Sequence, residues 1–523
     1  MGEKRLFSSI DSDKLNGINN FKEKRFSEAE SKFVEALKNN KNDPESLIYK
    51  NNAQINALMQ NNSEIKPILI STSVPKGGNK AVALEILRGV AHAHNDIMKD
   101  FESKCIDEKK LYKVGCDGGI KGRPLQIMII DDSNNPDIAV KIAKYLVKKQ
   151  KEVYALVGHN ASEVSSKAAI EYQKGKLVMV TPNSFALDFE KLDKKDGERA
   201  KGNYIFAVTY SHEILIKKVI DEMKHQLPTG EIPRVLLCYD ANAFDQNVIV
   251  GSFENFAKNN KGEIELIGVK EKSNTLNIMT NAKDISCDFS KADLNLADVL
   301  ENAKNKDGIN VIFVASHVNR IGDSIAVLKN IKRDSSLANI KIFSSPTLYT
   351  NQTLELGGKN VANLTMAVSW FPEKILKVGE VQFEGEAIEL WTEDSIKICH
   401  EEDDFTKETC INHLDILDEI GITWRTAMAY DATHILIEGF RGSGEISRQS
   451  LSKSLSEPEF SFEGVTGLVK FFSSCSTEEI NSKDVECFPG KRMVTGRNPD
   501  PAIIIKVNEV TERITHYRFN SDK

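Results

Sequence analysis

The stretch PLQIMIIDDSNNPDIAVKIAKYLVKKQKEVYALVGHNASEVSSKAAIEYQKGKLVMVTPNS, residues 124–184, decides the fold. Residues 125–130, 153–157 and 177–180 are short apolar runs rich in Val and Ile, the pattern of strands buried on both faces of a parallel sheet. Between them Ile138, Ile142, Leu146 and Val147, and then Val164, Ala168 and Tyr172, recur at helical spacing. The reading is strand, helix, strand, helix, strand. In open parallel sheets ligands bind beyond the carboxyl ends of the strands, where helix N-termini offer free N–H groups to an anion. The turn Gly158-His159-Asn160-Ala161-Ser162 stands at such a junction and is the first candidate site.

The same alternation extends in both directions. Residues 68–74 read as a preceding strand, followed by a helix over 81–98 with Leu84, Leu87, Val90 and Ala91 on its apolar face. His92 and His94 lie two apart on that helix and cannot face one metal ion together, so both are read as ordinary satisfied histidines. Residues 100–122 form a polar insertion. After the charged connection at 188–202, the run 204–208 reads as the crossing into a second lobe. There the strands are 234–239, 264–269, 310–315, 341–343 and 364–368, with helices starting near Phe244, Leu294 and Arg320. A strong helix at 421–441, a shorter one at 449–455, an apolar run at 465–472 and a last strand at 502–507 complete the chain. Two α/β units in series fit this order better than one very wide sheet.

The chain has 523 residues, too long for one ordinary core. A formal net charge of -7, with Lys and Arg scattered, argues against a nucleic-acid partner. No apolar run approaches the roughly 20 residues of a membrane helix. The N-terminus has no apolar h-region, so an export signal, if one acts, is removed or lies upstream. No G-x-S-x-G elbow, P-loop or H-E-x-x-H motif occurs, and the turn at Gly158 lacks a glycine-rich phosphate fingerprint. An enzyme is therefore not expected, and neither is a cofactor.

Residues 1–60 read as a separate helical unit. Gly17, Phe21, Phe26, Ala29, Phe33 and Ala36, followed by Asp43-Pro44, match the helix–turn–helix pattern of one tetratricopeptide repeat. A single copy must pack on the next domain, on a partner or on further repeats. The alternatives are a helical extension and a protein-docking module.

The cysteines carry a compartment argument. Cys105 with Cys116, Cys399 with Cys410, and Cys475 with Cys487 are three locally spaced pairs in polar, irregular stretches. Such pairs suit loop-stapling disulfides and an oxidising compartment. Zinc is the rival, but no pair has C-x-x-C spacing. Cys238, in the apolar run VLLCY, is read as a buried small hydrophobe.

Taken together, IKGRPLQIMIIDDSNNPDIAVKIAKYLV, ALVGHNASEVSSKAAIEYQ, LVMVTPNS, LLCYDANAFDQ, WRTAMAYDATHILIEGF and FEGVTGLVKFF resemble, in the correct order, the type I periplasmic binding proteins of the branched-chain amino-acid class. The resemblance covers roughly residues 66–515. It implies an α/β fold of two Rossmann-like lobes joined by three crossings and closing over a small solute by hinge motion. Lobe I is expected over 66–206 plus 372–463, and lobe II over 207–371 plus 464–515. In amino-acid-binding members the hydroxyl after the G-H turn holds the ligand carboxylate, which Ser162 matches, beside Ala161. A Ser there also serves as a plain helix N-cap. Further contacts implied by the resemblance are Asn183, Ser184 and Phe185 in lobe I, and Phe244, His317 and Thr347 in lobe II. Phe185 stands where the family has a hydroxyl, and Pro346 where an acid pairs the ligand ammonium. A buried ammonium without that partner costs several kcal/mol. The expected role is an extracytoplasmic solute-binding or sensor protein for ABC uptake or signalling, its partners a small polar solute and an ABC permease or a signalling protein docked on the helical segment. A ligand-free scaffold of the same fold is the alternative.

Overall fold

The computed structural model describes all residues except 9, 109–110, 186–202, 268–286, 292–293, 373–382, 394–412, 472–491, 493–501, 511–515 and 522–523. In chain order the elements begin α1 (Ser12–Lys22), α2 (Phe26–Asn39), α3 (Pro44–Asn61), β1 (Ile68–Val74), α4 (Lys80–Cys105) and the short turn α5 (Gly118–Lys121). Then come β2 (Leu125–Asp131), α6 (Pro136–Lys149), β3 (Val153–Val157), α7 (Ser162–Lys174), β4 (Val178–Thr181) and β5 (Ile205–Ala207). The chain continues with α8 (His212–Gln226), β6 (Arg234–Tyr239), α9 (Phe244–Asn259), β7 (Glu265–Ile267), β8 (Cys287–Asp288), α10 (Leu296–Asp307) and β9 (Val311–Val314). Next are α11 (Ile321–Arg333), β10 (Lys341–Ser344), α12 (Asn351–Gly357), β11 (Thr365–Val368), α13 (Phe383–Trp391) and α14 (His413–Ile420). The last are α15 (Trp424–Gly442), α16 (Arg448–Ser456), β12 (Phe462–Gly464), β13 (Gly467–Val469), β14 (Ile503–Val510) and β15 (His516–Ser521).

The chain divides into two compact units, Met1–Thr209 with Pro372–Pro499, and Tyr210–Phe371 with Asp500–Lys523. The first holds a sheet of order β2-β1-β3-β4-β5, parallel throughout. Its strands are apolar because helices cover both faces, and Ile70, Leu156, Val157 and Val180 are fully buried. The second unit is built on the order β15-β14-β11-β10-β9-β6-β7, with β8 beside β6. β6 to β11 run parallel, whereas β14 and β15 return antiparallel. The β12–β13 hairpin groups with the first unit because Asp431 of α15 accepts from Val465 N and Thr466 N, each at 3.0 Å.

The N-terminal helices pack on the first unit, α3 lying against both α4 and β2. Asn52 of α3 donates to Ile127 O at 2.8 Å and accepts from Ile127 N at 3.1 Å, taking the place of a neighbouring strand on edge strand β2. Within the helical unit Lys14 lies 2.6 Å from Asp43 and 2.8 Å from Glu45.

Disulfides join Cys105 to Cys116 and Cys238 to Cys287. The first was expected from spacing. The second corrects the reading of Cys238 as a lone hydrophobe: it is fully buried, but β8 pairs in parallel with β6 and sets Cys287 directly opposite. Cys399, Cys410, Cys475 and Cys487 lie outside the described residues. Among the described residues no helix is long and apolar enough to cross a membrane.

Candidate functional site

The carboxyl ends of β1, β2, β3 and β4 lie side by side, so their following loops share one rim of the first unit. Gly158 leaves β3 at φ +137°, and an added Cβ would stand 3.0 Å from Ser73 O, so the turn requires glycine. His159 comes next and points inward. Its Nδ1 lies 2.6 Å from Asp132 Oδ2, and its Nε2 lies 3.2 Å from the Tyr172 hydroxyl. Burial pushes the Asp132 carboxyl up, but the hydrogen bond and charge of His159, with the donors Asn134 N and Ser73 Oγ, hold it below the ordinary carboxylate value. Burial, helped by the Asp132 charge, raises the Tyr172 hydroxyl well above its usual value.

Three hydroxyls converge on the His159 carbonyl: Thr181 Oγ1 at 2.8 Å, Ser165 Oγ at 3.1 Å and Ser184 Oγ at 3.3 Å. Ser184 Oγ also reaches Asn160 O at 3.2 Å. The Asp132–His159 pair holds the turn on one side and this hydroxyl cluster on the other. Neither Asp132 nor His159 was singled out from sequence. The usable signal was an ionisable residue at the end of each of two predicted strands.

On this frame sit the lobe I candidates. Ala161, in extended conformation, is the N-cap of α7, and no side chain caps the helix. Ser162 is the first helical residue, so it does not fill the N-cap position. A Ser, Thr, Asp or Asn N-cap normally bonds an early backbone N–H, and alanine cannot. Asn183 is 3% exposed and donates from Nδ2 to Asn160 Oδ1 at 3.4 Å. Its Oδ1 has no hydrogen-bond partner among the described residues. Phe185 is buried close by, its N–H bonded to Asn183 O at 3.1 Å.

The lobe II candidates share a rim of the other unit. Phe244 begins α9 after β6, His317 follows β9, and Thr347 lies in the 3-10 turn Pro346–Leu348 after β10. β6, β9 and β10 are adjacent strands. His317 is partly buried and its Nδ1 accepts from Asn319 N at 3.3 Å, while Thr347 is buried. The rim also carries an ion pair that sequence reasoning did not find, Arg320 Nη1 to Asp240 Oδ2 at 2.9 Å. Arg320 Nη2 donates to Phe289 O at 2.9 Å, fixing the guanidinium.

Residues 111–379 match the family model described as Periplasmic binding protein. A periplasmic binding protein type 1 from Bordetella pertussis shares the fold with a TM-score of 0.59 at 14% identity, over 87% of this chain and 100% of that one. A branched-chain amino acid transporter substrate-binding protein from Streptococcus pneumoniae, solved with isoleucine, aligns at 16% identity and a TM-score of 0.55 over 87% and 100%. A solute-binding protein of an ABC transporter from R. palustris, solved with 4-hydroxybenzoate, gives 12% and 0.54 over 88% and 97%. No curated protein sequence matches the chain.

Proposed function

The chain belongs to the periplasmic binding protein family, and on that premise we propose that it binds a small carboxylate-bearing solute outside the cytoplasm, for ABC uptake or for signalling. The observation that carries this reading is the N-terminus of α7. It lies at the carboxyl end of a buried parallel strand, is capped by alanine, and is held in place by a rigid turn. A solute carboxylate there meets backbone N–H groups and the positive end of the helix dipole. In the proposal Ser162 and the Ala161 backbone receive the carboxylate, and Asn183 offers its unpartnered Oδ1 to a donor on the same solute. Ser184 acts indirectly, by fixing the turn. On the other rim Phe244, His317 and Thr347 are the proposed contacts.

Two features shape the choice of solute. Pro346 stands where the resemblance implies an acid for an ammonium, and Phe185 brings an aromatic wall to the carboxylate side. The first favours a carboxylic acid without an α-ammonium over a free amino acid, and the second removes a hydroxyl from the carboxylate side and offers an aromatic contact, which suits an aromatic or aliphatic acid. The relatives solved with 4-hydroxybenzoate and with isoleucine define the two arms of the test. The disulfides Cys105–Cys116 and Cys238–Cys287 support an oxidising compartment. The N-terminal helices are proposed as the contact for a signalling protein.

A thermal-shift and calorimetry panel of 4-hydroxybenzoate, benzoate, leucine and isoleucine tests the reading. A solute at about 100 times its Kd raises stability by roughly 2.7 kcal/mol. Acids without an ammonium are expected to bind more tightly than the amino acids. If no carboxylate in the panel shifts the melting temperature, the ligand-free scaffold replaces this reading.

A further inference from the structure

A second constellation lies in the first unit. Helices α4 and α15 cross at Gly89, where an added Cβ would meet Thr426 O at 2.1 Å and Tyr430 N at 2.8 Å. That close crossing brings one turn of each helix together: His92 and Asp96 at i and i+4 on α4, Tyr430 and His434 at i and i+4 on α15. Helix α13 lies over them with Phe383 and Glu386.

The separations are those of ligands around an ion. His92 Nε2 lies 3.5 Å from Glu386 Oε2 and 3.9 Å from Asp96 Oδ2, and His434 Nε2 lies 3.8 Å from the same Asp96 oxygen. Charge-assisted hydrogen bonds are shorter, about 2.7–2.9 Å. Nitrogen and oxygen ligands held about 2.0–2.1 Å from a tetrahedral zinc ion stand about 3.3 Å apart. One donor atom from each of His92, Asp96 and Glu386 falls within a mutual 4.8 Å.

The independent observation is His92 itself. Its side chain is 2% exposed, and its ring lies 5.2 Å from that of Phe383 and 4.9 Å from that of Tyr430, which are themselves 5.0 Å apart. Its Nδ1 has no hydrogen-bond partner among the described residues, and its Nε2 lies 3.5 Å from Glu386 Oε2 and 3.9 Å from Asp96 Oδ2. A phenylalanine would complete the same cluster of rings without burying unsatisfied nitrogens. Asp96, by contrast, is oriented: the Tyr430 hydroxyl donates to its Oδ2 at 2.9 Å, the kind of outer contact that fixes a carboxylate ligand. Glu386 is 40% and Asp96 26% exposed, which leaves a path from solvent.

We propose that His92, Asp96 and Glu386 form a binding site for a divalent transition cation of the zinc type. Imidazole and carboxylate donors suit zinc, with water free to complete the shell. An ion there ties α13 to the α4–α15 pair, so the site is a structural clasp within the first unit and independent of solute capture.

The test uses the untagged full chain stripped with EDTA and titrated with Zn2+ by calorimetry, with Co2+ absorption reporting the coordination. Saturable binding of one ion per chain, a rise in melting temperature with Zn2+ and visible Co2+ bands are expected. His92→Ala and Asp96→Asn should each weaken binding at least tenfold and abolish the bands. Should His92→Ala fail to fold, the part-exposed Glu386→Gln, melted in EDTA to confirm folding, serves in its place. Absence of saturable Zn2+ binding in the parent chain overturns the proposal, as does binding unchanged in Asp96→Asn and Glu386→Gln.

Discussion

The Asp132 carboxylate lies 2.6 Å from Nδ1 of His159, and both side chains are shut away from water at the ends of neighbouring loops. The pair explains how a loop of the candidate site keeps its shape without a ligand. Removing one member of a buried pair leaves the other unmatched, at about 3–5 kcal/mol. Asp132→Ala is therefore expected to destabilise by that amount and to weaken solute binding with it. The carboxyl is held below its usual 3.8, so its stabilisation is present above that pH and is lost as pH falls through the lowered folded value. Denaturation midpoints measured from about pH 6 down to 2 should fall more steeply for the parent than for Asp132→Asn. Equal slopes would show that the pair does not govern acid stability.

Ala161 gives a prediction with two signs. Its extended backbone is that of an N-cap, and an aspartate there would supply the missing side-chain bond. Ala161→Asp is expected to leave stability unchanged or raise it by about 1 kcal/mol. Its own carboxylate would then occupy the helix N-terminus, and binding of any carboxylate solute should drop by at least tenfold. Undiminished affinity in a stable Ala161→Asp protein would place the solute elsewhere.

The Cys238–Cys287 bond closes a separation of 49 residues. Loop-closure entropy for that length is about 4 kcal/mol. The double variant Cys238→Ala, Cys287→Ala should show a new transition at lower temperature in calorimetry, from the second unit alone. A single unshifted transition would contradict this.

Gly89 tests the helix crossing. A methyl group at this position meets backbone atoms of α15, which cannot swing aside as a side chain does. Gly89→Ala is expected to cost about 1–3 kcal/mol or more, although alanine is the better helix former. Melting temperature decides the matter, since propensity alone predicts the opposite direction.

How far the chain could be read in advance differs by element. Residues 153–157 and 234–239 are strands with the bounds their apolar runs predict, because strands buried on both faces have no polar alternation to blur their limits. The helix at 421–441 is displaced only slightly, to Trp424–Gly442. In contrast, β8 has two residues, too few for any period, and so the partner of Cys238 was not legible. At the site, the junction after β3 was visible, but the cap fell on Ala161 and not on Ser162, since propensity favours serine and the backbone turn decides. The inward roles of His159 and Asp132 depend on β1 lying between β2 and β3, an order that linear sequence does not carry. The same holds for His92, whose neighbours come from segments near 386 and 430.

Asn52 has a wider meaning than its two hydrogen bonds. An open edge strand invites pairing with the edge of another molecule, and sheets usually discourage this with charge, bulges or a covering element. Here a single amide from the N-terminal helices occupies both backbone groups of Ile127 in the middle of β2. Those helices are thus a stopper against strand addition between copies. Without them β2 would present an open edge to solvent.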